Sequence, residues 1–179
     1  MAIKIKIKGE SSIDTPSVLF GGVTVEEDWL KRESFSPTDV FLCRVDLSEI
    51  KDFPEKKMLG DKGYLYFFVD IEKNPADCKV LFSVDPDAFV EFNYDSDCGY
   101  DVENGYAIGF SAGDKGTAMF LKDEKVLNDE ICLLRYDTSE FKETDFLGDL
   151  NGALYFVISE DDLKRGDLSK TKLYFVDKK

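Results

Sequence analysis

The chain has no histidine in its 179 residues. That removes the side chain most used as a general base near neutral pH, and the commonest transition-metal ligand. An enzyme built this way would rely on Lys, Asp or Glu. Cysteine is scarce: Cys43, Cys78, Cys98 and Cys132, with none in a Cys-x-x-Cys pair. The usual zinc spacing is therefore missing. Four dispersed cysteines in a chain of this size read as reduced thiols in a cytoplasm. No charged-then-apolar leader and no long apolar run occurs, which argues against export and membrane spanning. Positive charge is also short, with 23 Lys and Arg against 37 Asp and Glu, net −14. Such a balance argues against binding a phosphate backbone, so no nucleic-acid partner is expected.

Hydrophobic residues make up 43% and aromatics 13%, enough for a folded core. The apolar residues recur in a pattern that occurs twice. Arg44, Asp46, Ser48, Glu49 and Lys51 are followed by Leu59-Gly60-Asp61 and Leu65-Tyr66-Phe67. Arg135, Asp137, Ser139, Glu140 and Lys142 are followed by Leu147-Gly148-Asp149 and Leu154-Tyr155-Phe156. The first five residues repeat 91 positions later, Gly-Asp 88 later and the aromatic run 89 later. Lys79-Val80-Leu81-Phe82 also echoes Lys172-Leu173-Tyr174-Phe175. The sequence thus predicts one domain over residues 1–179, made of similar halves at about 17–90 and 106–179. The expected class is α+β, mostly β, with antiparallel strands and short helices.

Alternation gives the first strand, with Ile3, Ile5 and Ile7 set against Lys4, Lys6 and Lys8; the lysines discourage edge-to-edge pairing. Thr24-x-x-Glu27 before Trp29 fits a capping box, predicting a short helix to about Arg32. In residues 41–46, alternation puts Phe41, Cys43 and Val45 on one buried face. Cys132, Leu134 and Tyr136 align with them. Arg44 and Asp46 share the opposite face. Asp46 and Asp137 each precede a Glu by three residues, a start signal for a helical turn with the Glu reaching back. Residues 64–71 read as a central strand covered on both sides. Residues 106–110 and 117–121 flank Gly113-Asp114-Lys115-Gly116, which predicts a hairpin. Ser159-x-x-Asp162 predicts a capped short helix ended by Gly166.

The ordered set resembles the bacterial YwqG-like family, a domain of unknown function. It comprises Phe20-Gly21-Gly22, Trp29, residues 41–47, Gly60 to Phe68, Gly148-Asp149, Leu154-Tyr155-Phe156 and Asp161-Asp162-Leu163. The resemblance runs from about Phe20 onward. It implies a mostly β, internally duplicated α+β fold and carries no established activity or catalytic residues. In that family Gln usually stands where this chain has Arg44 and Arg135.

Several motifs invite chemistry. Gly109-Phe110-Ser111-Ala112-Gly113 matches a nucleophile elbow, but that elbow needs a histidine and a strand-to-helix turn. A phosphate loop ending at Lys115 would need Gly-Lys adjacent and would not tolerate Asp114 in its cradle. A calcium loop starting at Asp95 would need Gly sixth and Glu twelfth, whereas Gly99 is fifth and Tyr106 twelfth. The candidate binding residues are Arg44, Asp46, Arg135 and Asp137, a pseudo-symmetric polar site; the rival reading is a pair of caps and ion pairs. A base-free span from Val80 to Asp114 holds eight carboxylates. Asp95, Asp97 and Asp101 form its candidate partner face.

Together these features describe a non-catalytic cytoplasmic binding or interaction protein that needs no cofactor or metal. Its partner would be a protein, basic in character, or a small ligand. One rival is a histidine-independent enzyme using carboxylates such as Asp61 and Asp149. Another is an acidic, immunity-type inhibitor of a basic protein.

Overall fold

In the computed structural model, strand-forming residues dominate, as the β-branched and aromatic runs require. The structure describes residues 2–33, 35–70, 72–73, 76–84, 89–92, 105–122, 130–141 and 150–178. The strands are β1 (Ile3–Glu10), β2 (Val18–Leu19), β3 (Thr24–Glu26), β4 (Val40–Asp46), β5 (Tyr64–Asp70) and β6 (Asp77–Ser83). They continue with β7 (Phe89–Glu91), β8 (Tyr106–Ala112), β9 (Ala118–Leu121), β10 (Ile131–Asp137), β11 (Gly152–Ile158) and β12 (Lys172–Asp177). Among the described residues there are also two short helices, α1 (Trp29–Arg32) and α2 (Glu160–Lys164), and three 3₁₀ turns. Among the described residues, no helix is long and apolar enough to cross a membrane.

Ten strands form one antiparallel sheet in the order β12-β11-β10-β9-β1-β8-β2-β4-β5-β6. The sheet curls until it is nearly closed. Its concave side holds the main core, from Ile3 and Ile5 through Leu42, Val45, Phe67 and Val80 to Leu134, Leu154 and Phe156. The rings of Phe67 and Phe156 meet there edge to face, with centroids 5.1 Å apart. β5 and β11 are each next to last in the strand order, at opposite ends, so this contact joins the two ends through the interior. Outside β4 and β5, the β3–β7 ribbon and α1 enclose Val18, Trp29, Phe41, Tyr66 and Phe68.

β1 lies mid-sheet, paired with β8 over most of its length and with β9 at Ile3 and Lys4. Its lysines therefore do not guard an edge of the folded sheet. Ile3 and Ile5 are buried, while Ile7 is exposed. β1 also separates β8 from β9, so residues 113–116 are not a hairpin loop. They wrap the start of β1 instead, where Gly113 N–H donates to Ala2 C=O at 3.0 Å.

Alternation misplaced Phe41 and Cys132. β4 carries a bulge: Phe41 pairs with Phe68 and Cys43 with Phe67, leaving Leu42 extra. The extra residue shifts the side-chain phase. Leu42, Cys43 and Val45 enter the main core, and Phe41 turns to the outer face. β10 has the same irregularity between Cys132 and Leu134, and Cys132 packs outside with Ala118 and Val157. Thr24 is no helix cap. It lies in β3, and α1 begins after Asp28, whose side chain caps nothing. The Asp46 carboxylate does accept Ser48 N–H at 2.9 Å, and Asp137 accepts Ser139 N–H at 3.0 Å. Glu140, however, does not return to its cap; it pairs with Lys4 and accepts Thr117 N–H at 2.6 Å. Ser159 caps α2 through Asp162 N–H, and Gly166 follows with φ 71°. Gly109 and Ser111 lie inside β8, so no nucleophile elbow forms.

Candidate functional site

Arg44 leaves the outer face of β4 and is almost fully buried. Its Nε donates to Pro16 C=O at 2.9 Å, Nη2 to Thr15 C=O at 2.5 Å, and Nη1 to Thr24 Oγ1 at 3.3 Å. The guanidinium also sits 5.4 Å from the Tyr64 ring centre, a cation–π distance. A rigid planar fork suits such convergent carbonyls better than an ammonium. Burial pushes the Tyr66 hydroxyl up to about 12, opposed by the neighbouring Arg44 charge. That hydroxyl donates to Thr24 C=O at 2.9 Å.

Arg135 holds an equivalent post on β10. Its Nε donates to Gly116 C=O at 2.7 Å and its Nη2 to Asp114 C=O. Next to each arginine, a hydroxyl accepts the aspartate's backbone N–H: Ser17 Oγ from Asp46 at 2.9 Å, and Thr117 Oγ1 from Asp137 at 3.0 Å. Asp137 also takes the Lys178 ammonium at 2.6 Å. Burial would raise the Asp137 carboxyl, but Lys178 and Ser139 outweigh it and hold it below its ordinary value.

The structure does not gather these four residues into one site. β4 and β10 are separated in the sheet by β9, β1, β8 and β2, with the core between their outer faces. Each cluster pins the chain that enters its neighbouring strand. Asp95, Asp97, Asp101 and Asp149 lie outside the described residues, as does the start of the possible calcium loop. Asp61 is exposed and bound to the buried Lys56 ammonium, which lowers its carboxyl pKa through a hydrogen bond and charge.

Two carboxylates escaped notice in the sequence. Asp39 and Asp70 are 6% and 1% exposed. Asp39 accepts Ser36 N–H at 2.6 Å, and Asp70 accepts Thr38 Oγ1–H at 2.8 Å. Burial raises the Asp39 carboxyl pKa, and Asp70 Oδ2 has no hydrogen-bond partner among the described residues. Ser36-x-x-Asp39 was the available signal, a serine–aspartate loop pattern. Neither carboxylate lines the groove described next.

That groove lies where the sheet almost closes. It runs between β6 and the 3₁₀ turn Leu168–Lys170, with a volume of about 580 Å³. Cys78 Sγ lies 3.7 Å from Thr171 C=O across it. Burial, helped by Asp77, pushes the Cys78 thiol up to about 12, so it is a poor nucleophile.

Strand phase decides what β6 offers to the groove. Leu47 N–H donates to Gly63 C=O at 2.9 Å, so odd-numbered residues of β5 face β4 and even-numbered ones face β6. Tyr64, Tyr66, Phe68 and Asp70 then engage Ser83, Leu81, Lys79 and Asp77. The backbone groups of Cys78, Val80 and Phe82 therefore point out of the sheet. The Asp77 carboxylate takes Cys78 N–H at 2.8 Å. Those of Val80 and Phe82 meet no partner among the described residues. The sequence marked β6 as a strand, but nothing in it marked β6 as the last one.

No protein-family model matches the chain, and no curated protein matches it.

Proposed function

We propose that this chain is a non-catalytic binding protein, whose ligand enters the groove between β6 and the Leu168–Lys170 turn. The carrying observation is the pairing of a preformed cavity with an unpartnered sheet edge. Ligand sites are concave, and they combine apolar walls with a few oriented polar groups. Val80, Phe82 and Leu168 provide the apolar wall. The outward N–H and C=O groups of β6 provide the orientation.

In this reading the domain arose by internal duplication and is YwqG-like in architecture, with the groove at the junction of its halves. Matched details support the duplication. Both bulges, both arginine forks and both aspartate caps recur at equivalent places. Phe20, just after β2, and Phe120, within β9, share the left-handed backbone with φ 60° and 55°, rare for a bulky residue. Ile5 N–H donates to Thr117 C=O at 3.0 Å, and Ile108 N–H to Ser17 C=O at 3.2 Å. On this reading the halves are related by a two-fold axis between β1 and β8, with the two leading strands exchanged. The free thiols of Cys43, Cys78 and Cys132 support a cytoplasmic setting.

Ser169→Trp tests the groove, because Ser169 is an exposed lining residue whose enlargement leaves the core untouched. Affinity capture from the native cell extract should recover a partner with wild type and lose it with S169W. Equal recovery by both would overturn the groove as the binding site.

A further inference from the structure

The groove's chemistry also defines its occupant, an inference that rests on the binding reading above. We infer that the β6 edge accepts an extended, lysine- or arginine-rich segment of another protein, which joins the sheet as an added antiparallel or parallel strand.

Three observations carry this. Among the described residues no strand pairs with the outer side of β6, and Val80 and Phe82 present unpaired donors and acceptors along one line. An extended peptide satisfies such a row through its backbone, and pockets read its alternate side chains. The other free edge approaches β6 without pairing with it. Among the described residues, β12 pairs with β11 alone, and no ladder joins it to β6.

Charge supplies the second observation. Glu33, Asp77 and Asp167 line the groove, with Lys79 as the cation. Lys79 is drawn toward the outer face, where its ammonium sits 5.9 Å from the Phe35 ring centre. Asp77 shares that face and pairs with the Lys73 ammonium at 3.3 Å, so Glu33 and Asp167 set the charge of the cavity, and a cationic segment complements them. The same argument disfavours a second copy of this chain, because each copy carries net charge −14, and like charges brought together repel.

The third observation is local apolar character. Side chains of Cys78, Val80 and Phe82 face the interior side of the sheet, with Val80 in the main core and the other two against it. Alternate residues of an added strand would lie beside this wall and Leu168. The occupant should therefore alternate basic and apolar residues.

The probe is a fluorescein-labelled decapeptide of alternating Lys and Val, titrated with the full chain and followed by fluorescence polarisation. It should bind at least tenfold more tightly than the Glu-Val counterpart. N-methylation of alternate backbone nitrogens, in the phase that meets β6, should weaken it tenfold or more; the opposite phase should have little effect. Glu33→Gln with Asp167→Asn should weaken binding severalfold and flatten its dependence on salt. Equal binding of Lys-Val and Glu-Val peptides would overturn the charge argument. Indifference to N-methylation in either phase would overturn strand addition. A dimer that sediments as such in wild type and is lost in S169W would make a second copy the occupant, and would overturn the inference. If S169W loses the captured partner while no basic extended peptide binds, strand addition fails and the groove stands. If S169W keeps the partner, the groove itself fails.

Discussion

Phe67 and Phe156 allow closure of the sheet to be measured rather than viewed. They sit on β5 and β11 and are fully buried, with ring centroids 5.1 Å apart at 76°. Phe→Ala at either site should cost about 3–5 kcal/mol. Two such losses would approach the whole stability of a domain, about 5–15 kcal/mol. Phe→Leu is the better probe, keeping most of the volume at a cost under about 1.5 kcal/mol each. An edge-to-face aromatic pair adds about 0.5–1.5 kcal/mol beyond its burial. The double variant should therefore lose less than the sum of the singles, by about that amount. Urea unfolding reports it through Trp29, the single tryptophan, buried against Tyr66. Phe68→Leu serves as control. Phe68 lies on the outer face, so its loss should add to that of Phe156→Leu within about 0.5 kcal/mol. If Phe67 and Phe156 prove equally additive, the two ends of the sheet do not meet through the core, and the seam is open.

Other outcomes follow from the same coordinates. Arg44→Ala strips donors from the carbonyls of Thr15, Pro16 and Thr24; a loss of at least about 2 kcal/mol in urea midpoint analysis is expected, since each buried orphan costs about 1–3. Arg44→Lys should recover only part of it. Gly63 has φ 107°, and a Cβ there would stand 2.6 Å from Ser83 C=O and 2.7 Å from the Phe82 ring; Gly63→Ala should cost more than about 1 kcal/mol in thermal unfolding. Because the Asp137 carboxyl is held low in the folded state, its contribution is present above the unfolded value near 3.9 and fades as pH falls through the folded one. Lys178→Ala should lower stability at pH 7 and flatten its decline below about pH 4, read from acid titration of the unfolding midpoint. Cys43 and Cys132 are fully buried and should resist a thiol reagent at pH 8 until urea unfolds the chain.

Strand content was legible because alternation and aromatic runs are local. The main misreadings share one cause: neighbours distant in sequence decided the outcome. Residues 40–45 are apolar apart from Arg44, so periodicity had no polar residue to mark the bulge at Leu42. Thr24 matched a cap on its own segment, yet Arg44 and the β7 partner strand claim it for β3. Residues 113–116 look like a hairpin loop until β1 is inserted between their flanks. Arg44 and Arg135 were visible as a matched pair, but their shared role as loop clamps was not, because backbone carbonyls carry no sequence signature. The groove was the least legible feature. It depends on which strand ends the sheet, a property of topology rather than of residue type.

The mid-sheet position of β1 has a consequence for synthesis. Its partners begin at Tyr106, about 100 residues after β1 leaves the ribosome tunnel, or about 5–20 s at usual elongation rates. Throughout that wait, Ile3, Ile5 and Ile7 form an unsatisfied strand able to pair with any passing edge. Nascent chains arrested before Tyr106 should be cleaved readily by protease within residues 2–92, and chains extended beyond β9 should resist. Lys4, Lys6 and Lys8 then protect a transient state: like charges on successive nascent chains keep the waiting strands apart, and that protection ends when β8 and β9 arrive.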